Sequence, residues 1–274
     1  MEVLVVDYGA GNLTSVMKAL RAVGASPVTG AGAKAVARAR AIVIPGVGHF
    51  SQTASIDDRA RDAIGAAIAR GVPLLGICLG LQWLFDGSDE APAIAGLGVF
   101  EGRCFDLGSD RGQTGVRPGF DRGQTRVRLG SDQGQTTRGV GTDPDRPKVL
   151  WHWSDPGLTL VEPRSDPGLT PVEPRSDPGL TPLKVPHVGW NTVDPTHRPS
   201  RLLDGVPPSA FAYFTHTYAA PVVDDTVAVT THGAAFTAVV ERGNVFGAQF
   251  HPEKSGAAGL RLLANFVRIA GGAR

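Results

Sequence analysis

Short apolar runs alternate with segments of helical hydrophobic spacing through the first third of the chain. The apolar runs are residues 3–6, 41–44 and 72–77, and the helical segments are residues 13–22, 56–70 and 79–85. The first two runs end in glycine-containing turns, and the third leads directly into a helical segment. Alternating apolar strands and helices predict an α/β fold in which helices cover both faces of a parallel sheet.

The last third of the chain has shorter strand-like runs separated by turns. The strands are residues 210–214, 227–231, 236–240 and 245–250, and a helical segment at residues 260–269 follows them. Strands joined by short turns usually pair as antiparallel hairpins. We therefore expect a mixed, mostly parallel sheet that is flanked by helices.

Residues 107–182, between these two parts, have a different composition. Glycine and proline make up 22 of the 76 residues. The unit Asp-Arg-Gly-Gln-Thr first occurs at Asp110 and the unit Ser-Asp-Pro-Gly-Leu-Thr at Ser154, and each recurs every 11 residues, the first with one change in its third copy. This composition excludes a continuous helix and buries little apolar surface. We predict a disordered insertion within a single domain formed by residues 1–106 and 183–274.

Charge and cysteine content limit the class of protein. The 27 Lys and Arg residues nearly balance the 26 Asp and Glu residues, so neither a nucleic acid nor a membrane surface is an expected partner. The two cysteines, Cys78 and Cys104, exclude a disulfide framework and indicate a reducing compartment. The first residues do not resemble a signal peptide, and no run is apolar enough to span a membrane. We expect a cytoplasmic globular protein.

The segment Gly76-Ile77-Cys78-Leu79-Gly80 carries the sharpest chemical signal. Glycines two residues before and two residues after Cys78 allow a sharp turn from a strand into a helix, which exposes the side chain at the turn above the sheet edge. This is the cysteine counterpart of the Gly-x-Ser-x-Gly nucleophile turn. Cys78 is therefore a candidate nucleophile, and the alternative is a buried structural cysteine.

A thiol nucleophile needs a general base and a group that orients this base. His251 directly follows the predicted strand at residues 245–250, which places it at the same sheet edge as Cys78. Glu253 lies two residues further along the chain and is able to bond the imidazole. The sequence thus indicates a Cys78–His251–Glu253 triad, although His-Pro-Glu taken alone also fits a polar loop.

The thioester chemistry of such a triad also needs donors for an oxyanion. Candidate donors are the backbone N–H group of Leu79 and one from the loop formed by Gly46, Val47 and Gly48. Gln82, one helical turn beyond the nucleophile, is a candidate for binding the polar end of a substrate. The alternatives are an ordinary tight turn at residues 46–48 and a solvent-exposed helical glutamine at residue 82.

Together these motifs resemble the class I, triad-type glutamine amidotransferases. The resemblance rests on Gly-Ile-Cys-Leu-Gly-Leu-Gln at residues 76–82 and Gln-Phe-His-Pro-Glu-Lys-Ser at residues 249–255. Further stretches resemble the glutaminase subunit of imidazole glycerol phosphate synthase, and they lie at residues 7–12, 45–48, 184–191 and 214–218. That family joins the two parts of its domain by a short connection, so the segment 107–182 departs from its pattern.

The resemblance implies a class I amidotransferase fold and a catalytic triad of Cys78, His251 and Glu253. It implies that glutamine is hydrolysed to glutamate and ammonia. The motifs include no metal-binding constellation and no phosphate loop, so we expect neither a metal nor a cofactor. It further implies a heterodimer with a cyclase subunit, a β/α barrel, that uses this ammonia. The joint products are imidazole glycerol phosphate and aminoimidazole carboxamide ribotide in histidine biosynthesis.

A set of residues has an expected role at the cyclase interface by resemblance only, namely His187, Trp190, Asn191, His216 and Lys254. For His187 and His216 the resemblance also allows a place at the edge of the active site, and the sequence alone favours ordinary strand-end histidines. Two other functions stay open on the sequence. One is a glutaminase subunit of another synthase, such as one that makes anthranilate, and the other is a non-catalytic subunit that only docks a partner. The stretches at residues 7–12 and 189–191 argue against the first, and the intact triad argues against the second.

Overall fold

The computed structural model describes residues 1–109 and 183–272, which form twelve strands and five α-helices. The helices are α1 (Leu13–Ala22), α2 (Gly32–Arg38), α3 (Asp58–Ala69), α4 (Leu79–Trp83) and α5 (Gly256–Ala270). The first six strands are β1 (Glu2–Val6), β2 (Ser26–Gly30), β3 (Ile42–Ile44), β4 (Leu74–Ile77), β5 (Gly87–Ser88) and β6 (Arg103–Asp106). The others are β7 (His187–Pro195), β8 (Ala210–His216), β9 (Tyr218–Ala219), β10 (Thr226–His232), β11 (Ala234–Arg242) and β12 (Val245–Ala248).

Nine of these strands form one mixed sheet in the order β2-β1-β3-β4-β12-β11-β10-β7-β8. The first five strands in this order, β2, β1, β3, β4 and β12, pair in parallel with their neighbours. The remaining pairs, from β12 through β11, β10 and β7 to β8, are antiparallel. The strands β5, β6 and β9 form a second, small sheet. The predicted mixed sheet is confirmed. Strands β4 and β12, which are far apart in the sequence, lie side by side near its centre.

Helices cover both faces of the large sheet because its central strands are apolar on both sides. Val3 and Val5 of β1 belong to the core cluster that contains the buried residues of α1 and α5. Leu4 and Val6, which alternate with them, belong to the cluster that contains the buried residues of α2, α3 and α4. Alternate side chains of a strand point to opposite faces, so the two clusters lie on opposite sides of the sheet.

The sequence analysis did not predict β2, α2 or β7, and each of these elements has a weak apolar pattern. Strand β2 lies at an edge of the sheet and has Pro27 as its one buried residue. Helix α2 buries Val36 alone. Strand β7 alternates buried and exposed residues only in part, and it contains glycine and asparagine. Pairing with neighbouring strands stabilises β2 and β7, and this information is absent from the local sequence.

The repeats of the predicted insertion lie outside the described residues. Leu107, the first residue of the predicted insertion, is described and is fully buried in the core, and its N–H group donates to the carbonyl of Thr217. Packing of the domain therefore continues at least to this residue. None of the helices in residues 1–109 and 183–272 is long and apolar enough to cross a membrane.

Candidate active site

Cys78 occupies a strained turn between β4 and α4. Its φ angle is 52°, in the left-handed region that residues other than glycine rarely adopt. Both flanking glycines are needed sterically, because a Cβ atom on Gly76 would lie 2.6 Å from the carbonyl oxygen of Gly80. A Cβ atom on Gly80 would lie 1.9 Å from the carbonyl oxygen of Ile44. The turn therefore has the tight geometry that the glycine spacing predicted.

His251 and Glu253 form a buried pair directly after β12. The imidazole Nδ1 donates to Glu253 Oε1 at 2.8 Å, and the two side chains are 3% and 2% exposed. Burial alone lowers the pKa of His251, but the nearby Cys78 sulfur and the hydrogen-bonded Glu253 carboxylate outweigh it and raise this pKa to about 9. The buried Nε2 makes no hydrogen bond of normal length within the described part of the chain, so it is the nitrogen left to exchange a proton with the thiol.

The sheet brings Cys78 and His251 to one edge. Strands β4 and β12 are parallel neighbours, and Ile77 pairs with Ala248 at their ends. The N–H group of Cys78 donates to the carbonyl of Ala248 at 2.8 Å. Gln249, the next residue, donates from Nε2 to Cys78 Sγ at 3.7 Å. The carboxyl ends of adjacent parallel strands thus place the thiol beside the imidazole.

A cavity of about 310 Å³ opens beside Cys78 and is lined by side chains of Gln82 and Glu90, among others. Gln82 is 4% exposed, which excludes the solvent-exposed alternative, and its Nε2 donates to the carbonyl of Tyr218 at 2.7 Å. Glu90 accepts at Oε2 from the N–H group of Phe50 at 2.7 Å. The sequence analysis missed Glu90, because an acidic residue in a polar turn after β5 carries no local signal of a binding site.

The loop of Gly46, Val47 and Gly48 packs against the turn at Cys78. A Cβ atom on Gly46 would lie 2.4 Å from the Tyr8 hydroxyl, and this hydroxyl donates to the carbonyl of Pro45 at 2.8 Å. The carbonyl of Gly46 accepts a long hydrogen bond, 3.4 Å, from the N–H group of Leu79. The N–H group of Leu79, a predicted oxyanion donor, therefore faces this loop, and an oxyanion would have to replace the Gly46 carbonyl there.

The residues with an expected interface role are divided between the surface and the interior. Alternation along β7 and β8 leaves Trp190 57% exposed, with its ring 6.1 Å from that of Tyr213. Lys254 is also exposed, and its Nζ lies 5.6 Å from the centre of the Tyr213 ring. His187 and His216 point to the opposite, buried face of the same strands, so their side chains do not reach the outer surface.

His187 and His216 are buried and lie in contact with each other, and His216 is also part of the cavity wall. His187 Nδ1 lies 3.1 Å from His216 Nε2, and the half-buried Asn191 bonds His187 Nε2 at 3.2 Å. The ring of His232 stacks on that of His187 with centres 4.2 Å apart. Burial lowers the pKa of His187 to about 4 and that of His216 to about 3, which leaves both neutral at pH 7. In the described residues no group of His, Cys, Asp and Glu side chains has the arrangement of a metal site.

The glutamine amidotransferase class-I family model matches residues 4–270. The chain belongs to the class-I glutamine amidotransferase family. It is 36% identical over 272 residues to the imidazole glycerol phosphate synthase subunit HisH of Deinococcus radiodurans, a match that covers 97% of this chain and 93% of that protein. It is also 36% identical over 271 residues to the HisH subunit of Salinibacter ruber, with the same coverage.

Solved structures place this class-I amidotransferase among proteins of the same fold. One crystal structure of a glutamine amidotransferase matches with a TM-score of 0.56 and 14% identity, covering 98% of both chains. At this identity the match supports the fold alone. The family model and the HisH relatives establish the enzyme class, which is that of glutamine amidotransferases, and within this class the chain belongs with the HisH subunits.

Proposed function

We propose that this chain is the glutaminase subunit of an imidazole glycerol phosphate synthase and supplies ammonia to a cyclase partner in histidine biosynthesis. The observation that carries the proposal is the strained Cys78 turn, which lies beside the buried His251–Glu253 pair and opens onto a cavity of amino-acid size. The names of the HisH relatives support the synthase and the pathway.

In the proposed reaction, Cys78 Sγ attacks the side-chain amide carbon of glutamine as a thiolate. The imidazolium of His251 then gives its Nε2 proton to the amide nitrogen, the C–N bond breaks, and ammonia leaves. The resulting thioester is hydrolysed by a water molecule that His251 deprotonates, which releases glutamate and restores the thiolate of Cys78 and the imidazolium of His251. Glu253 keeps the imidazole oriented and stabilises its positive charge through both steps.

The polar groups around the cavity suit the other end of glutamine. We assign the α-ammonium group to the Glu90 carboxylate, because Glu90 supplies an anionic side chain to the cavity wall. Thr217, Tyr218 and Gln82 also line the cavity, and Gln82 bonds the carbonyl of Tyr218. Oxyanion donors would come from Leu79 and from the loop of residues 46–48 after the Gly46 carbonyl has turned away from Leu79.

The cyclase would dock on an apolar surface formed by Val188, Trp190, Phe211 and Tyr213, which we name the β7–β8 outer face. Val188, Trp190 and Phe211 are 56%, 57% and 61% exposed, and Tyr213 pairs with Trp190 across the two strands. Exposed large apolar side chains grouped on one face are typical of protein interfaces. Lys254 lies beside this face, over the Tyr213 ring.

The test is glutamate release from glutamine by the full chain, measured with and without the purified cyclase and its nucleotide substrate. We expect the complex to release glutamate and to make imidazole glycerol phosphate. The variant Cys78→Ala should lower glutamine-dependent synthesis by a factor on the order of 10³ or more. Its synthesis from added ammonium should remain, because the cyclase does not need the thiol.

Two results would contradict the proposal. Glutamate release by Cys78→Ala at the wild-type rate would show that Cys78 is not the nucleophile. Release of glutamate by the wild type with another synthase subunit, such as one that makes anthranilate, and not with the cyclase would identify a different partner.

A further inference from the structure

Ser255 immediately precedes α5, and a serine at this position usually caps the helix by accepting from an N–H group of its first turn. In this structure its side chain makes no capping bond. Ser255 is 2% exposed, and its hydroxyl lies against strand β8. It donates to the carbonyl of His251 at 2.6 Å and accepts from the N–H group of Tyr213 at 3.0 Å.

These bonds belong to a closed ring between β8 and His251. The N–H group of His251 donates to the carbonyl of Tyr213 at 2.9 Å, so both backbone groups of Tyr213 are used. Strand β8 is the last strand of the sheet, and its outer edge would otherwise have unpaired backbone groups at this point. The turn that carries His251 therefore acts as the missing neighbour of β8, and the Ser255 hydroxyl provides half of that pairing.

The ring restrains the rotations that aim the imidazole. A residue has two soft backbone dihedrals, and the bond from the His251 N–H group limits φ while the bonds to its carbonyl limit ψ. The carbonyl accepts from both Ser255 and the N–H group of Lys254, which lies at 3.0 Å. Glu253 then fixes the ring of His251 through Nδ1. Of these restraints, the Ser255 hydroxyl is the one that links the His251 carbonyl to a separate strand.

The same edge of β8 also reaches the nucleophile. The carbonyl of Thr215, two residues after Tyr213, lies 4.0 Å from Cys78 Sγ and accepts its weak hydrogen bond. The strand thus contacts the thiol at one point and the imidazole-bearing turn at another. A change in the spacing between β8 and the His251 turn would alter the distance across which the proton passes.

We propose that Ser255 is a positioning residue for glutamine hydrolysis, whose hydroxyl bridges the His251 carbonyl and the Tyr213 N–H group and thereby aims the imidazole at Cys78. The inference rests on the proposed role of His251 as general acid and base. It adds a residue that sequence analysis would assign to helix capping.

The test compares Ser255→Ala with Ser255→Thr and with a matched control, Thr230→Val, in the full chain with its partner. Thr230 is fully buried in the same sheet and donates to the carbonyl of Thr192 at 2.7 Å, away from the cavity. Rates are divided by the number of reactive Cys78 thiols, counted by alkylation with iodoacetamide in the folded protein, where Cys104 is fully buried. This correction removes any loss that is due only to unfolded molecules.

We expect Ser255→Ala to lower kcat per reactive thiol by about 10-fold, since small misplacement of a catalytic group has effects of this order or larger, while KM changes by less than about 3-fold. The alkaline limb of its kcat profile should move to lower pH, because the imidazole no longer sits at the same distance from Cys78. Ser255→Thr keeps the hydroxyl and should recover most of the rate. Thr230→Val should stay within about 2-fold of the wild type.

A kcat per thiol and a pH profile in Ser255→Ala equal to those of Thr230→Val would overturn the positioning role. If Ser255→Ala does not fold, Ser255→Cys keeps the volume with a weaker donor, and wild-type kcat in that variant would overturn the proposal equally. The proposed function is tested separately by Cys78→Ala: residual wild-type hydrolysis there contradicts the triad itself, whatever Ser255→Ala does.

Discussion

His251 is the residue whose environment most directly sets the chemistry of this site. An isolated buried imidazole would lose its proton easily, since burial disfavours its charged form. The neighbours Cys78 and Glu253 reverse this effect and raise the pKa of His251 to about 9. At neutral pH the imidazole is thus held as a cation, the form that would protonate the amide nitrogen in the reaction proposed above. The raised pKa also means that this charge stabilises the fold fully below about pH 6.5, and that the contribution is lost as pH rises through about 9.

The variant Glu253→Gln tests this account. Loss of the carboxylate removes one of the two groups that raise the pKa of His251, so the alkaline limb of kcat should move from about pH 9 to lower pH. We expect kcat at neutral pH to fall by about 10²- to 10⁴-fold, the range for loss of an orienting acid and of general acid–base catalysis in other enzymes. The measurement is kcat for glutamate release as a function of pH. Asp204→Asn, which removes a 67% exposed carboxylate, is the control and should leave the profile unchanged.

The turn from β4 to α4 works because its glycines allow backbone atoms to approach closely. Gly76 and Gly80 lie on either side of Cys78 and leave no room for a Cβ atom. The sequence analysis could identify this turn since the requirement is local and repeats a known spacing. The orientation of the neighbouring loop at residues 46–48 could not be identified, because the Tyr8 hydroxyl and the Leu79 N–H group that hold it come from other elements.

The variant Gly80→Ala should destabilise the protein by about 2 kcal/mol or more, since its methyl group would overlap the carbonyl of Ile44 and force the turn to shift. Hydrolysis of glutamine should fall at the same time, because Cys78 moves with the turn. The matched control is Gly65→Ala on the exposed side of α3, where a Cβ atom meets no atom within 4 Å. That change should stabilise the helix by about 0.5–1 kcal/mol. The free energy of unfolding of both variants is measured by urea denaturation. Equal values for Gly80→Ala and Gly65→Ala would contradict the steric role of Gly80.

The two edges of the large sheet have different surfaces. One edge strand, β2, pairs with β1 and has Val28 as its single large exposed apolar side chain, 39% exposed. The other edge strand, β8, forms the β7–β8 outer face together with β7, and it also contacts the turn of His251. The surface proposed for the cyclase therefore includes the strand that contacts the proposed catalytic residues.

We expect Trp190→Ala to weaken binding of the cyclase by about 10- to 100-fold, because central exposed tryptophans contribute much of the energy of an interface. Hydrolysis of glutamine by the chain alone should change little, since Trp190 is not one of the residues that line the cavity. Titration of each variant with the cyclase gives the dissociation constant. Val28→Ala, at the opposite edge of the sheet, is the control. If Val28→Ala lost affinity and Trp190→Ala did not, the cyclase would bind near β2, and the proposed docking surface would be wrong.

Spacing along the chain was sufficient to predict the α/β class, the turn at Cys78, and the adjacency of His251 and Glu253 in one segment. Each of these depends on residues a few positions apart, whose geometry the local backbone sets. The place of Glu90 in the cavity wall, the burial of His187 and His216, and the bridging role of Ser255 depend on which strands are neighbours. The packing of the whole sheet sets the strand order and decides which side chains of β7 and β8 are buried. The contacts of these residues therefore form only when the chain has folded.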